Sequence, residues 1–300
     1  MRILLLCTSF TKGHGVAVVV RQQAIQLVGQ GHEVHVLCEE KDEFYCADEF
    51  QTHVVVAKEK VLLPLVESFG ANVIVVHTDP FFTMLPKWKE NHYTIAWEHG
   101  QPPPELFPAE AKAWRTEFIR VKKESVYPRV HLNVGISKSI VQELGLPNAK
   151  VVYNGLDHLE FKVQSLSIEP QKELRLLKVS RLDEHVAEYK GLADYAKLVQ
   201  SLRDKGLEVR GQLAGKGSLG DQHRWEAMGL EVLRNLSDQG LKEAYLDSHV
   251  VVSLSKWEGF NLPLAEAQYY DRPAFALDHG PHREVTEHVF ASIQSMGLVF

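Results

Sequence analysis

Residues 250–254 read Val-Val-Val-Ser-Leu, an apolar and β-branched run of the kind a strand needs when both its faces are covered. Such strands belong to parallel sheets flanked by helices. The next residues sharpen the constraint. Gly259 permits a sharp turn, residues 262–270 read as a helix, and Pro263 sits in its first turn, where a missing N–H costs nothing. Asn261 is a residue that either caps such a helix or takes a left-handed backbone. The unit is therefore strand, tight loop, helix start, and free N–H groups at a helix start favour anions, phosphate above all. Glu266 lies one turn past Leu262, so a nucleotide phosphate on the helix start would leave this carboxylate beside the adjoining ribose. Glu258 lies nearer the opening. The plainer alternative is a strand-to-helix unit carrying two solvated carboxylates.

The rest of the chain repeats this alternation. Residues 3–7 form an opening strand, 16–29 a helix and 33–37 a second strand, with Lys12-Gly13-His14-Gly15 in the loop between. That loop either approaches a phosphate or serves only as a turn. Residues 54–57 and 73–77 read as strands around a helix at 60–69, and Phe81-Phe82 reads as core in preference to an acceptor pocket or a membrane edge. A strand at 93–97 runs into Glu98-His99-Gly100, where a histidine at a carboxyl-terminal strand end has both reach and room. Three prolines, 102–104, exclude helix and ladder bonding before a helix at 109–126. The cations Arg115, Arg120, Lys122 and Lys123 on that helix suit an anionic membrane surface or a phosphorylated acceptor. Interruption by Glu110, Glu117 and Glu124 favours a solvated helix face.

A polar stretch at 158–173 reads as a linker. Beyond it, a strand at 174–180 ends at Arg181, and Lys190-Gly191 opens a helix through Arg203. An arginine at a strand end and a lysine at the next helix start can converge on one anion. A strand at 209–213 runs into Ala214-Gly215-Lys216-Gly217, one residue short of a Walker A loop and lacking its Ser or Thr. Strands at 230–236 and 273–277 and a helix at 238–247 complete the pattern.

Composition narrows the function. Three hundred residues with 45% hydrophobic content can supply two cores, and a net charge of −6 argues against sequence-independent nucleic-acid binding. Three cysteines, Cys7, Cys38 and Cys46, have no metal spacing and read as reduced thiols of a cytoplasmic protein. No apolar stretch approaches the ~18–20 residues that span a bilayer. No Asp-x-Asp metal motif occurs, and the scattered histidines lack ligand spacing.

The stretch Glu258-Gly-Phe-Asn-Leu-Pro-Leu-Ala-Glu266-Ala resembles the Glu-x7-Glu motif of the retaining glycosyltransferases of family 4. Asn133-Val-Gly-Ile-Ser137, Asn154-Gly-Leu-Asp157, Arg181-Leu and Lys190-Gly191 resemble further motifs of that family. The resemblance implies an α/β chain of GT-B fold, two doubly wound Rossmann-like domains facing a cleft. Residues 1–157 would be the acceptor-side domain, 158–173 the linker, and 174–300 the nucleotide-sugar-binding domain, in which residues 297–300 align with a late strand of the family and the usual final helices are lacking. It implies sugar transfer from a nucleotide-diphosphate donor to a glycan, lipid-linked or small-molecule acceptor, without metal or other cofactor, in the cytoplasm or at the inner face of the membrane. Arg181 and Lys190 would hold the diphosphate, with Lys216, Gly259, Phe260, Asn261, Leu262, Gly13 and Gly15 also at the donor. Glu266 would grip the ribose, and Glu258 and His99 would orient the sugar. The leaving phosphate would take the acceptor's proton. The same scaffold also suits a sugar-nucleotide epimerase or hydrolase, or a nucleotide-sugar-binding subunit without activity. Base, sugar, acceptor and oligomeric state are not encoded in these motifs.

Overall fold

The computed structural model describes residues 1–43, 45–159 and 173–300. The chain divides into two compact units, Met1–His158 and Leu159–Phe300. Most of the expected linker, 160–172, lies outside the described residues.

The first unit holds seven parallel strands: β1 Arg2–Phe10, β2 Glu33–Lys41, β3 Gln51–Val54, β4 Val73–Val76, β5 Tyr93–Glu98, β6 Leu132–Gly135 and β7 Ala149–Val151. Their order is β3-β2-β1-β4-β5-β6-β7, so the winding reverses between β1 and β4. Helices α1 Gly15–Gly29, α2 Glu59–Ser68, α3 Leu85–Trp88, α4 Ala109–Val121 and α5 Lys138–Leu144 connect them. Residues Ile3 to Cys7 are buried throughout, as a central strand covered on both faces requires, and α1 lays Ala17, Val20 and Ala24 on one side of the sheet. Phe81 and Phe82 are fully buried in a 3₁₀ turn and belong to the core.

The second unit has six parallel strands: β8 Leu174–Val179, β9 Val209–Gly215, β10 Glu231–Arg234, β11 Val250–Ser253, β12 Ala274–Leu277 and β13 Val289–Phe290. The order β10-β9-β8-β11-β12-β13 reverses between β8 and β11. Its helices are α6 Glu184–Ala187, α7 Leu192–Asp204, α8 Leu219–Glu226, α9 Asp238–Asp247, α10 Leu262–Tyr269, α11 His282–Val285 and α12 Ile293–Met296. Two cores flank the sheet: Leu176 and Val252 face α7, while Leu177 and Val251 face Tyr245 and Leu264.

Several elements differ from expectation. The strand read at 54–57 is β3, three residues earlier; it lies at the sheet edge, which leaves Val54 and Val56 more than half exposed. The helix read through 126 changes at Val121 into a five-residue π turn, Lys122–Val126. Residues 297–300 are not a strand. They follow α12, and Phe300 packs on Phe275 with ring centroids 5.4 Å apart. α6 and α8 have no counterpart among the expected elements. α6 accounts for the long segment between Arg181 and Lys190, and α8 opens on a capping box from Ser218 and Asp221.

Candidate functional site

In open parallel sheets ligands gather beyond the carboxyl ends of the strands where the winding reverses. In the second unit that place is marked by β8 and β11, which lead to Arg181 and Glu258 respectively.

Lys190 and Glu258 meet there: the lysine Nζ donates to Glu258 Oε2 at 2.7 Å. The two side chains are 22% and 11% exposed, so the pair is largely withdrawn from water without being sealed. Burial alone would raise the Glu258 carboxyl; the Lys190 ammonium, with smaller help from His282 and Ser255, holds it below the ordinary carboxylate range. Gly191 makes the meeting sterically feasible. It takes φ +63°, and a Cβ there would stand 2.1 Å from the Leu254 carbonyl oxygen, so the helix start passes directly over the end of β11.

Asn261 takes the left-handed conformation, φ 79° and ψ 68°, at the N-cap of α10. Its side chain does not cap the helix. Nδ2 donates instead to Ser253 Oγ and to His282 Nε2, both at 2.9 Å. His282 is fully buried and its Nδ1 is 2.7 Å from the Leu277 carbonyl, an acceptor only. The Nδ1–H tautomer therefore satisfies both contacts and leaves Nε2 to accept. Burial holds this imidazole below its ordinary pKa, in keeping with the neutral form. The consequence is a helix start that no side chain closes, held open by a lattice of Ser253, Asn261 and His282. Gly259 and Phe260, expected at the donor, are buried in the loop leading to it.

Arg181, 43% exposed, lies 3.9 Å from Asp183. The residues on either side of Arg181 are clamped to the end of β9: Ser180 N donates to Ala214 O at 2.9 Å and Leu182 N to Lys216 O at 2.9 Å. Lys216 is exposed beside it. Glu266 is buried on α10 and accepts a 2.6 Å hydrogen bond from the Tyr245 hydroxyl, whose ionisation is pushed far up by burial and by that carboxylate. The structure thus joins Lys190 to Glu258 and gathers Asn261 beside Ser253, while Arg181 with Lys216 and Glu266 with Tyr245 form separate contacts within the same unit.

The first unit carries its own polar cluster at the reversal of its sheet. His99 Nε2 lies 3.0 Å from His77 Nδ1. Burial drives both imidazoles down, His77 well below its usual range and His99 to about 3, with neighbouring His99 and Lys122 adding to the respective shifts. Asp79 receives Gln101 Nε2 at 2.7 Å and is pushed up to about 7 by burial. Glu98 Oε1 accepts from Lys122 Nζ at 2.8 Å and from the Tyr127 hydroxyl at 2.7 Å, all three side chains being buried. Lys122, read from the sequence as part of a solvated cationic face, is 1% exposed, because it lies on the inner stripe of α4 one turn after Phe118, whose ring its ammonium meets. Gly13 adopts φ 86°, and Gly15 is the first residue of α1, where a Cβ would meet nothing within 4 Å. Among the described residues no group of three or more His, Cys, Asp or Glu is placed to hold a metal ion.

Residues 163–294 match the model of the family described as glycosyl transferases group 1. The second unit is a glycosyl transferases group 1 domain. The glycosyltransferase resemblance read from Glu258, Glu266, Arg181 and Lys190 is met at that level. Among solved structures, the chain is similar to Anabaena Alr3699/HepE in complex with UDP and glucose, with TM-score 0.74, 16% identity, and coverage of 100% of this chain and 88% of that one. It is also similar to sucrose-phosphate synthase from Thermosynechococcus elongatus, with TM-score 0.73, 14% identity, and 99% and 88% covered. The lipopolysaccharide outer core galactosyltransferase WaaB, apo form, gives TM-score 0.66, 15% identity, and 99% and 88% covered. These likenesses establish the GT-B glycosyltransferase fold across the chain. No curated protein sequence matches significantly. No helix among the described residues is long and apolar enough to cross a membrane.

Ser253, Ser255, His282, Tyr245 and Lys178 in this unit, and His77, Asp79 and Gln101 in the other, were not singled out from the sequence. His282 carries no local signal, because its meeting with Asn261 is a contact across 21 residues.

Proposed function

We propose that this glycosyltransferase domain serves a retaining, metal-independent transfer of a sugar from a nucleoside-diphosphate donor, in the manner of family 4. The observation that carries the reading is the Lys190–Glu258 pair beside the uncapped, left-handed start of α10, at the reversal of a parallel sheet. In that arrangement Lys190 and Arg181, with Lys216 behind Arg181, take the diphosphate, and the α10 start adds N–H donors at Leu262. Glu266 accepts from the ribose, with Tyr245 fixing its carboxylate. The anomeric carbon–oxygen bond to phosphate breaks, a new bond to the acceptor hydroxyl forms on the same face, and the hydroxyl proton passes to the departing phosphate. Preorganised donors on the developing charge contribute about 3–4 kcal/mol each in such sites. Glu258 keeps its charge and orients the sugar. The first unit is assigned the acceptor, with His99 a neutral hydrogen-bonding group. Uridine is the first base to test, since the Anabaena protein was solved with UDP and with UDP-glucose. A glycan or lipid-linked acceptor is supported by the lipopolysaccharide galactosyltransferase among the similar structures.

The test is calorimetric titration of the chain with UDP, GDP, ADP and dTDP, with and without magnesium, for wild type and Glu266→Ala. Selective binding that needs no magnesium and is lost in the variant supports the donor site. Failure of every nucleotide to bind wild type overturns it. Incubating the bound nucleotide's sugar ester with and without candidate acceptors then separates transfer from hydrolysis or epimerisation.

A further inference from the structure

Lys190 and Glu258 each follow an aromatic residue, Tyr189 and Trp257, and the two aromatics meet as the two charges do. The rings of Tyr189 and Trp257 stand edge to face, with centroids 6.5 Å apart and planes 73° to each other. The Lys190 ammonium lies over the Tyr189 ring, 5.4 Å from its centroid, so the ring face and the Glu258 carboxylate attract the same cation. Further contacts bring the two segments into this register. Lys256 N donates to Tyr189 O at 2.7 Å, the Ser255 hydroxyl makes a long 3.5 Å bond to Lys190 O, and Gly191 lies against the Leu254 carbonyl.

The contacts therefore run in order, Trp257 on Tyr189, Tyr189 under Lys190, Lys190 on Glu258. A lysine has a flexible stem, and holding its ammonium in one place costs rotamer freedom. The single bond to Glu258 fixes a distance and leaves the direction open; the ring beneath supplies a second point of attachment. Tyr189 is 6% exposed and forms a fixed surface, whereas Trp257 is only partly buried, in the loop after β11, and braces the flank of that ring.

The role of these rings rests on the donor site proposed for this unit. There Lys190 is one of the groups that take the diphosphate, and a cation already in place binds better than one the ligand has to order. We infer that Tyr189 and Trp257 are positioning residues for the donor: together they fix the Lys190 ammonium where the sugar-bearing phosphate arrives, the phosphate that is terminal in a free nucleoside diphosphate. They act through Lys190. Their effect falls on that phosphate and not on the ribose, which is assigned to Glu266.

The experiment compares calorimetric binding of UDP and UMP, or of the corresponding guanosine, adenosine or thymidine pair if that is the one bound. The ratio of the two affinities isolates the terminal phosphate. Trp257→Ala and Tyr189→Leu are expected to lower the ratio about tenfold while UMP affinity stays within about twofold of wild type. Trp257→Phe and Tyr189→Phe keep a ring in each place and are expected to hold the ratio near wild type. Lys190→Met removes the cation itself, and adding Trp257→Ala to it is expected to change nothing further. Because Tyr189 is buried, Tyr189→Leu counts only if its unfolding transition matches wild type; Trp257→Ala, at a partly exposed position, otherwise carries the test. An unchanged ratio overturns the assignment. So does a loss shared equally by UMP and UDP, a loss that Trp257→Phe fails to restore, or one that persists undiminished in the Lys190→Met background. Absence of nucleotide binding by wild type instead overturns the donor reading, and the positioning role falls with it.

Discussion

Asn261 and His282 are joined by a single hydrogen bond of 2.9 Å between two side chains that are both buried. The bond closes the loop after β11 onto the segment after β12. Asn261 serves twice, once by tolerating the left-handed backbone and once by donating to Ser253 and His282. Asn261→Gly removes only the second service, whereas Asn261→Ala removes both. Loss of the side-chain bonds costs about 1–3 kcal/mol and a left-handed alanine about 1–2 kcal/mol more. Urea unfolding is expected to rank wild type above Asn261→Gly above Asn261→Ala; equal stability of the two variants would show that backbone conformation contributes nothing here.

The buried imidazoles of the first unit make its stability depend on pH. Unfolded histidines titrate near 6.5, while His77 and His99 are held lower in the fold, His99 at about 3. Between those values the unfolded chain binds more protons, so stability falls as pH falls from about 6.5, by up to about 1.4 kcal/mol per pH unit for each histidine. Unfolding curves at pH 7, 6 and 5 are expected to converge for wild type and His77→Gln, because the variant has one fewer proton to gain. An unchanged slope in the variant would assign the dependence to other groups.

Lys122 and Glu98 form a buried ion pair at 2.8 Å, with the Phe82 ring 4.6 Å from the lysine Nζ. Lys122→Met leaves Glu98 without a counter-ion and is expected to cost about 3–5 kcal/mol. Adding Glu98→Gln removes the stranded charge, so the double variant should regain much of that loss. Chemical denaturation of the two single variants and the pair measures it as a double-mutant cycle; strict additivity would mean that the two side chains do not interact.

Glycines of similar appearance in the sequence have opposite tolerances. Gly191→Ala forces a Cβ against the Leu254 carbonyl at a positive φ and is expected to prevent stable folding of the second unit. Gly15→Ala meets nothing within 4 Å and lies in the first turn of α1, so stability should stay within about 0.5 kcal/mol of wild type. A fall in transfer activity in Gly15→Ala, with melting unchanged, would show that a ligand approaches the backbone there. Unchanged activity would leave Gly15 a helix start and nothing more.

Periodicity and apolar runs located the sheets well because β1 and β11 are buried on both faces and say so in every residue. The edge strand β3 was misplaced for the same reason inverted: Val54 and Val56 look buried by composition yet face water. At the site, Glu258, Lys190 and Asn261 stood in motifs that name them. Ser253 and His282 did not, since a serine in a strand and a histidine opening a one-turn helix acquire meaning only from partners brought up by the fold. Lys122 misled because the glutamates between the cations suggested a solvated face, while its place one turn after Phe118 on the inner stripe of α4 acquires meaning only from Glu98 and Tyr127, which the fold brings to it.

The Lys190–Glu258 contact spans 68 residues of chain, with β9, β10 and their helices between the two partners. A loop of that length closes slowly, and the two charges cannot meet before β8 and β11 lie side by side. During refolding the contact is therefore a late event that reports completion of the central sheet. Any molecule that recognises the assembled pair recognises only chains that have finished folding, and by mass action shifts the population toward them.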